Sequence, residues 1–491
     1  MRETEVLIVG AGPAGLVLAC ELARRGVGAV LVERDAVPFA GGRGKGLQPR
    51  TLEVFEDMGV LDRALAFGGA YPPLRAEVDG EVVFTGHMSE PREATPDVPY
   101  PNGLMLPQWR TGLILRERLK ELGGAVTSPA EFVGLAQDAE GVTAVVNVDG
   151  TEQTIRARYL VGTDGGSSAV RRALGVSFVG ETHEEERSLI ADVRAEGLDR
   201  DHWHVWPRGG DAFPIGLCPL AGTDTFQMMV PLAPGAPVPE MSLGVFQDAV
   251  DAAAGPGRIR LTGLVWSSVF RPNIRMAERF AVGRVFLAGD AAHVHSPAGG
   301  QGLNTGVQDA YNLGWKLAAV LRGADPGLLD SYEAERQPVA ARVLGLSTAL
   351  HAKAREGGAD AHRRDDPELQ QLVLGYPDGP LTVERREAPA AAHAGDRAPD
   401  AVAPGGRLFP LIHTGSPVLL AFGPNARMVA EKVAPELTVA PDPDGTAPTA
   451  YGVAPGADAL FVLRPDGYIG LATDTPDPAE TAAYLTLLTA P

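Results

Sequence analysis

The chain has 491 residues, and at roughly 100–200 residues per domain this predicts two to four domains. A hydrophobic fraction of 45% is ordinary for a protein with large buried cores, and a net charge of −19 argues against nucleic acid or an anionic membrane surface as a partner. Cys20 and Cys218, the only cysteines, are too few and too distant for a disulfide framework or a metal site.

Val6-Leu7-Ile8-Val9 is a short apolar run cut at once by glycines, so it reads as a buried parallel strand and not as a signal peptide. No stretch approaches the ~20 apolar residues that cross a bilayer, and the expected location is the cytoplasm. A helix from Pro13 to Arg25 places Leu16, Ala19, Cys20 and Ala23 on one face, and Gly26 stops it. Ala29–Val32 completes a βαβ unit. Thr51–Met58 and Gln108–Leu122 read as helices. Residues 76–85, with Asp79-Gly80 as the turn, form a hairpin, and 142–148 with 155–161 form another.

Strand-like segments dominate 176–274: Leu189–Val193, His202–Trp206, Phe213–Cys218 and Thr225–Val230. Val285–Ala288 returns as a buried strand. A helix from Asn304 to Leu321 carries Val307, Ala310, Leu313, Leu317 and Val320 on one face. Residues 355–400 read in part as a linker. The order strand, helix, hairpin, helix over the last ninety residues predicts a small α/β domain.

Three motifs carry chemistry. Gly10-Ala11-Gly12-Pro13-Ala14-Gly15 joins the first strand to the first helix, where glycines let backbone approach a pyrophosphate and the helix start supplies free N–H groups. Glu33, followed by Arg34, stands eighteen residues after Gly15, where a carboxylate reaches ribose hydroxyls. Together they predict dinucleotide binding. Next, Gly162-Thr163-Asp164-Gly165-Gly166 and Gly289-Asp290 each place an aspartate at the carboxyl end of a buried strand, and Asp290 is suited to a polyol chain such as the ribityl of FAD. Finally, Pro297-Ala298-Gly299-Gly300-Gln301-Gly302-Leu303-Asn304 opens the long helix, whose positive end suits the anionic edge of a reduced flavin.

In this order and spacing, the three motifs resemble the class A flavoprotein monooxygenases, the FAD-dependent aromatic hydroxylases. Within that family the chain is most similar to polyketide hydroxylases of tetracycline, angucycline and anthracycline pathways and to rifampicin monooxygenase. The resemblance implies an α/β architecture: a Rossmann-like FAD domain of the glutathione-reductase type (1–70, 98–175 and 275–395), an inserted, mostly antiparallel substrate domain (71–97 and 176–274), and a thioredoxin-like C-terminal domain (396–491). With no cysteine after Cys218, that last domain lacks Cys-x-x-Cys, and packing or oligomer support is its expected role. Asp164 is implied to recognise FAD and incoming NAD(P)H, and Arg43 and Gln108 to contact FAD. Lys45 departs from a family loop that carries an apolar residue or Arg at that place. Tyr332-Glu333-Ala334-Glu335-Arg336-Gln337-Pro338 reads as a buried ion-pair corner.

The implied cycle consumes NADPH or NADH as a transient reductant and O2, forms a flavin C4a-hydroperoxide, and inserts one oxygen into a polycyclic aromatic substrate. Baeyer–Villiger insertion or oxidative rearrangement is the alternative on the same scaffold, and a non-catalytic flavin-binding protein is a lesser one. The expected assembly is a monomer or homodimer. Pocket candidates are Trp203, Trp206, Phe213, Phe226, Met228 and Met229. His87, His293 and His295 are acid–base candidates by type only, His293 reading as a supporting residue, and no catalytic base is assigned.

Overall fold

The computed structural model describes residues 2–207, 215–296, 299–356, 363–403, 406–441 and 445–489. It is a mixed α/β protein with several sheets. Strand Arg2–Val9 runs through an eight-stranded sheet, parallel to Ala29–Val32 on one side and Thr151–Gly162 on the other. Val126–Thr127 and Val285–Leu287 extend it in parallel on the two flanks. The apolar runs are unbroken because both faces of these strands are covered. Thr151–Gly162 also pairs antiparallel with Val142–Val148 through the Asp149-Gly150 turn, both residues of which have positive φ.

Helix Pro13–Arg24 packs lengthwise on helix Gly302–Leu321. Close approach is possible because Gly314 has no side chain, since a Cβ there would stand 2.6 Å from Glu21 Cβ; a Cβ on Gly306 would stand 3.0 Å from Gly289 Cα, in the turn that carries Asp290. The spacing along Gly302–Leu321 marks one apolar face, yet its polar face is buried too, including Gln308, Asp309, Asn312 and Lys316. The C-terminal unit and helix Asp330–Glu356 supply the reason. Glu335 accepts from Lys316 Nζ at 2.7 Å and from Arg464 at 2.7 and 2.9 Å, and Arg336 donates to Asp309 at 2.8 Å. The Tyr332–Pro338 segment is thus a buried ion-pair corner.

A seven-stranded sheet runs in the order Arg260–Phe270, Ser188–Glu196, Phe226–Pro231, Ile215–Pro219, Trp203–Trp206, Leu74–Val78 and Glu81–Gly86. It is antiparallel except where Trp203–Trp206 lies parallel to Leu74–Val78. Helix Leu243–Ala254, absent from the sequence reading of this stretch, starts at a Ser242 cap and covers one face of the sheet through Phe246 and Val250.

A five-stranded sheet forms the C-terminal unit. Val418–Phe422 lies parallel to Thr438–Val439 and antiparallel to Ala459–Leu463, which pairs with Ile469–Thr473. Val383–Glu384 joins its edge, upstream of residue 396, where that domain is expected to begin. The supposed linker is therefore partly structural. Its residues Leu374, Tyr376, Ala394 and Ala398 are buried. Among the described residues no helix is long and apolar enough to cross a membrane, and both cysteines are buried and free.

Candidate active site

The N-terminal turn uses its glycines in two ways. Gly10 has φ +102°, and a Cβ there would stand 2.6 Å from the Thr163 carbonyl oxygen. A Cβ on Gly15 would stand 2.0 Å from the Gly10 carbonyl oxygen and 2.6 Å from Thr163 Oγ1. These two positions seal the turn against the neighbouring strand end, and the Thr163 hydroxyl bonds the Val9 and Gly10 carbonyls at 2.9 and 2.7 Å. Gly12 differs: with φ −72°, a Cβ there meets nothing within 4 Å. The helix behind it, opened by Pro13 and Ala14, has no side-chain cap and no acidic residue in its first turn. Free space in front of an uncapped helix start is a seat for an anionic group. Glu33 braces the turn, its carboxylate accepting from Ala11 N at 2.8 Å and Asp35 N at 3.1 Å. Arg34 points to solvent beside Asp35.

Asp164 is used locally. Its carboxylate accepts from Ser168 Oγ at 2.5 Å and from Ala169 N and Val170 N at 2.7 and 3.1 Å, fastening the start of helix Ala169–Ala173. Buried Arg171 donates to the Gly166 and Ala291 carbonyls at 2.7 and 2.8 Å and so ties together the loops that carry Asp164 and Asp290. The Asp290 side chain is exposed at the carboxyl end of strand Val285–Leu287, although its surroundings are crowded. Burial pushes its carboxyl above the usual range, opposed by the charges of His293 and Arg43.

The turn carrying Asp290 is held from behind. Asp309 accepts from Gly289 N at 3.0 Å, His293 Nε2 at 2.6 Å and Arg336 Nε at 2.8 Å. Burial opposes the charge on Asp309, but His293 and Arg336 hold its carboxyl well below the ordinary value. His295 Nε2 lies 2.8 Å from His293 Nδ1, and burial, with the His293 charge second, holds His295 well below the usual histidine range. His293 therefore acts behind Asp290, as its sequence position suggests. His87 follows the edge strand Glu81–Gly86.

The loop 41–48 links the seven-stranded sheet to the long helix. Gln108 Oε1 accepts from Gly44 N at 3.1 Å, and Gln108 N donates to the Gly44 carbonyl at 2.8 Å. Asn304 Oδ1 accepts from Gln48 N at 2.8 Å, while its amide nitrogen donates to the Gly46 and Gly300 carbonyls at 3.1 and 2.8 Å. Leu303 packs where Gly44 has no side chain, and Gly302 begins the helix. Pro297 lies outside the described residues. Arg43 extends beside Phe39 and Trp266 and donates to Ser268 Oγ at 3.3 Å. On the sheet side, Gly42 N donates to Asp192 at 2.8 Å and Lys45 Nζ to Gln227 at 2.5 Å.

Strand alternation then decides which pocket candidates face this loop. Trp203 does, with the Lys45 ammonium 3.9 Å from its ring centre. Met229 shares the face of Gln227. Trp206, Phe226 and Met228 do not: they are buried on the opposite face, in the core under helix Leu243–Ala254. That corrects their place among the pocket residues. Phe213 lies outside the described residues. Asp192, Gln227 and Tyr71, whose hydroxyl abuts Gly46, escaped the sequence reading. A polar residue in the middle of an apolar strand, as with Asp192 and Gln227, is the signal that could have pointed to two of them.

The open helix start at Gly12, the exposed carboxylate of Asp290, whose Gly289 turn lies against Ala14 and Gly306, and the glycine-rich entry to Gly302–Leu321 are residues that fit FAD. Residues 3–347 match the family model described as an FAD binding domain. The chain is 46% identical to a flavin-dependent monooxygenase of Mycobacteroides abscessus, covering 96% of this chain and 97% of that one. It is 38% identical to a rifampicin monooxygenase of Streptomyces venezuelae over 85% of this chain and 87% of the relative. Among solved structures, a ternary complex of aklavinone-11 hydroxylase with FAD and aklavinone superposes with a TM-score of 0.81 at 28% identity, covering 99% of each chain. The chain belongs to the FAD-binding family of flavin-dependent aromatic monooxygenases and is an FAD-dependent enzyme of that family.

Proposed function

We infer that the enzyme inserts one oxygen atom from O2 into a flat, polycyclic, polyketide-type aromatic substrate at the expense of NADPH or NADH. The observation that carries this reading is the face of the seven-stranded sheet turned to loop 41–48, where Trp203, Lys45 and Gln227 meet. Names of the relatives support it, since rifampicin and aklavinone are large polycyclic compounds.

Gly10, Gly12, Pro13, Ala14, Gly15, Glu33 and Arg34 would hold the adenosine and pyrophosphate, Asp290 the ribityl chain, and Arg43, Gln108, Gly300, Gly302, Leu303 and Asn304 the ring. Asp164 stiffens the loop between those two regions. Bound FAD supplies the redox chemistry, so that reduced nicotinamide, a proton, O2 and the aromatic ring yield the hydroxylated ring, oxidised nicotinamide and water. The protein's part is to orient the ring and exclude water, which would divert the activated oxygen to hydrogen peroxide. The C-terminal unit takes a packing role, supported by the buried Arg464–Glu335 contact.

The test is NADPH consumption by the FAD-loaded protein with and without polycyclic phenols, with mass spectrometry of the product under isotopically labelled O2. Faster consumption and one labelled oxygen in the product are expected. No phenol changing the rate or yielding an oxygenated product would refute it.

A further inference from the structure

Lys45 is half-buried between the loop and the sheet, and its ammonium donates one hydrogen bond among the described residues, to Gln227 Oε1 at 2.5 Å. That acceptor is fixed in direction, because the other end of the Gln227 amide donates to the Gly42 carbonyl. The ammonium rests 3.9 Å from the centre of the Trp203 ring. Among the described residues no carboxylate lies within ion-pair distance of it. Asp192, the cross-strand neighbour of Gln227, comes nearest in charge, but its Oδ2 is taken by Gly42 N and its buried Oδ1 has no partner. Burial lowers the Lys45 amine, and Cys218 and Asp192 oppose that. Burial pushes Asp192 up to about 6 against the Gly42 hydrogen bond and the Lys45 charge. Tyr71 is the remaining titratable group of this wall, its hydroxyl against Gly46.

A half-buried ammonium with one neutral acceptor, a ring behind it and no carboxylate in reach is completed best by an anion on its accessible side. On the reading above the aromatic substrate lies against this face of the sheet, where Lys45 keeps part of its surface accessible, and this inference rests on that reading. We propose that Lys45 is the substrate anchor, binding the ionised oxygen of a phenol on a flat polycyclic ring. Only the phenol O–H bond breaks, and its proton passes to solvent. The ring bound as phenolate is richer in electrons, which suits attack by an electrophilic oxygen. Gln227 and Trp203 act as positioning residues, one aiming the ammonium and the other backing it.

Alizarin, whose neutral and ionised forms absorb at different wavelengths, serves as the probe with FAD-loaded enzyme. Bound to the wild type, it should ionise at a proton concentration about tenfold higher or more than in free solution. Lys45→Met should abolish that shift and raise KM for ionisable phenols about tenfold, with a smaller change for the corresponding methyl ethers. Lys45→Arg should restore the shift, and the FAD content of each variant reports folding. An unshifted dye on the wild type, or a Lys45→Met variant that ionises it as the wild type does, overturns the anchor. If the wild type oxidises NADPH faster with phenols in those cases, the broader function survives. If no phenol binds or stimulates the wild type, both fall.

Discussion

Alanine at Gly12 and at Gly15 should fail in different ways, because the two positions face different things. At Gly12, φ −72° suits alanine, and the new methyl meets nothing within 4 Å. The flavin-free protein should therefore hold its stability or gain about 0.4–1 kcal/mol by restricting the unfolded chain. That corresponds to a melting temperature unchanged or raised by about 1–3 °C. The methyl would, however, occupy the space assigned to pyrophosphate. An overpacking cost of about 1–3 kcal/mol weakens FAD binding by about 5- to 150-fold.

At Gly15 the clash is with the protein itself, 2.0 Å from the Gly10 carbonyl, and backbone cannot swing aside as a flexible side chain can. There the flavin-free protein should lose at least about 1–3 kcal/mol. The assay is a thermal melt of stripped protein beside a fluorescence titration with FAD. A Gly12→Ala variant that binds FAD as tightly as the wild type would refute the pyrophosphate seat, whatever its melting temperature.

Asp309→Asn would leave Arg336 charged and buried, at a cost of about 3–5 kcal/mol, read as a lower denaturation midpoint; a wild-type midpoint would show that the contact to Asp309 is not needed. Glu335 has a folded-state pKa of about 2 against an ordinary 4.5, with burial opposing and Arg464 and Lys316 lowering it. Since the folded value is depressed, this stabilisation is present above about pH 4.5 and is lost as pH falls towards 2. Glu335→Gln should be less stable at neutral pH and show a flatter acid limb in that window, whereas an unchanged slope would contradict the linkage. Trp206→Ala should cost about 3–5 kcal/mol, while Trp203→Ala should change KM for the aromatic substrate with a smaller loss of stability. Equal destabilisation by the two would mean that the faces of the sheet are wrongly assigned.

Much of this protein was legible in its sequence because the signals are local. The Gly10–Gly15 turn, Glu33 at the end of the next strand, the Gly289-Asp290 turn and both hairpins are each written in a few neighbouring residues, where backbone freedom and side-chain period act directly. Other features depended on distant partners. Strand alternation exposed two faces without saying which one helix Leu243–Ala254 would cover, so Trp206, Phe226 and Met228 looked like Trp203. The polar side of Gly302–Leu321 became interior only because Glu335, Asp466 and Arg464 arrive to satisfy it. Lys45, Asp192 and Gln227 come from three separate segments, and the charge balance of that corner does not exist until the chain brings them together. Local sequence sets backbone shape, but burial and charge compensation belong to pairs of surfaces, and those are chosen by the tertiary fold.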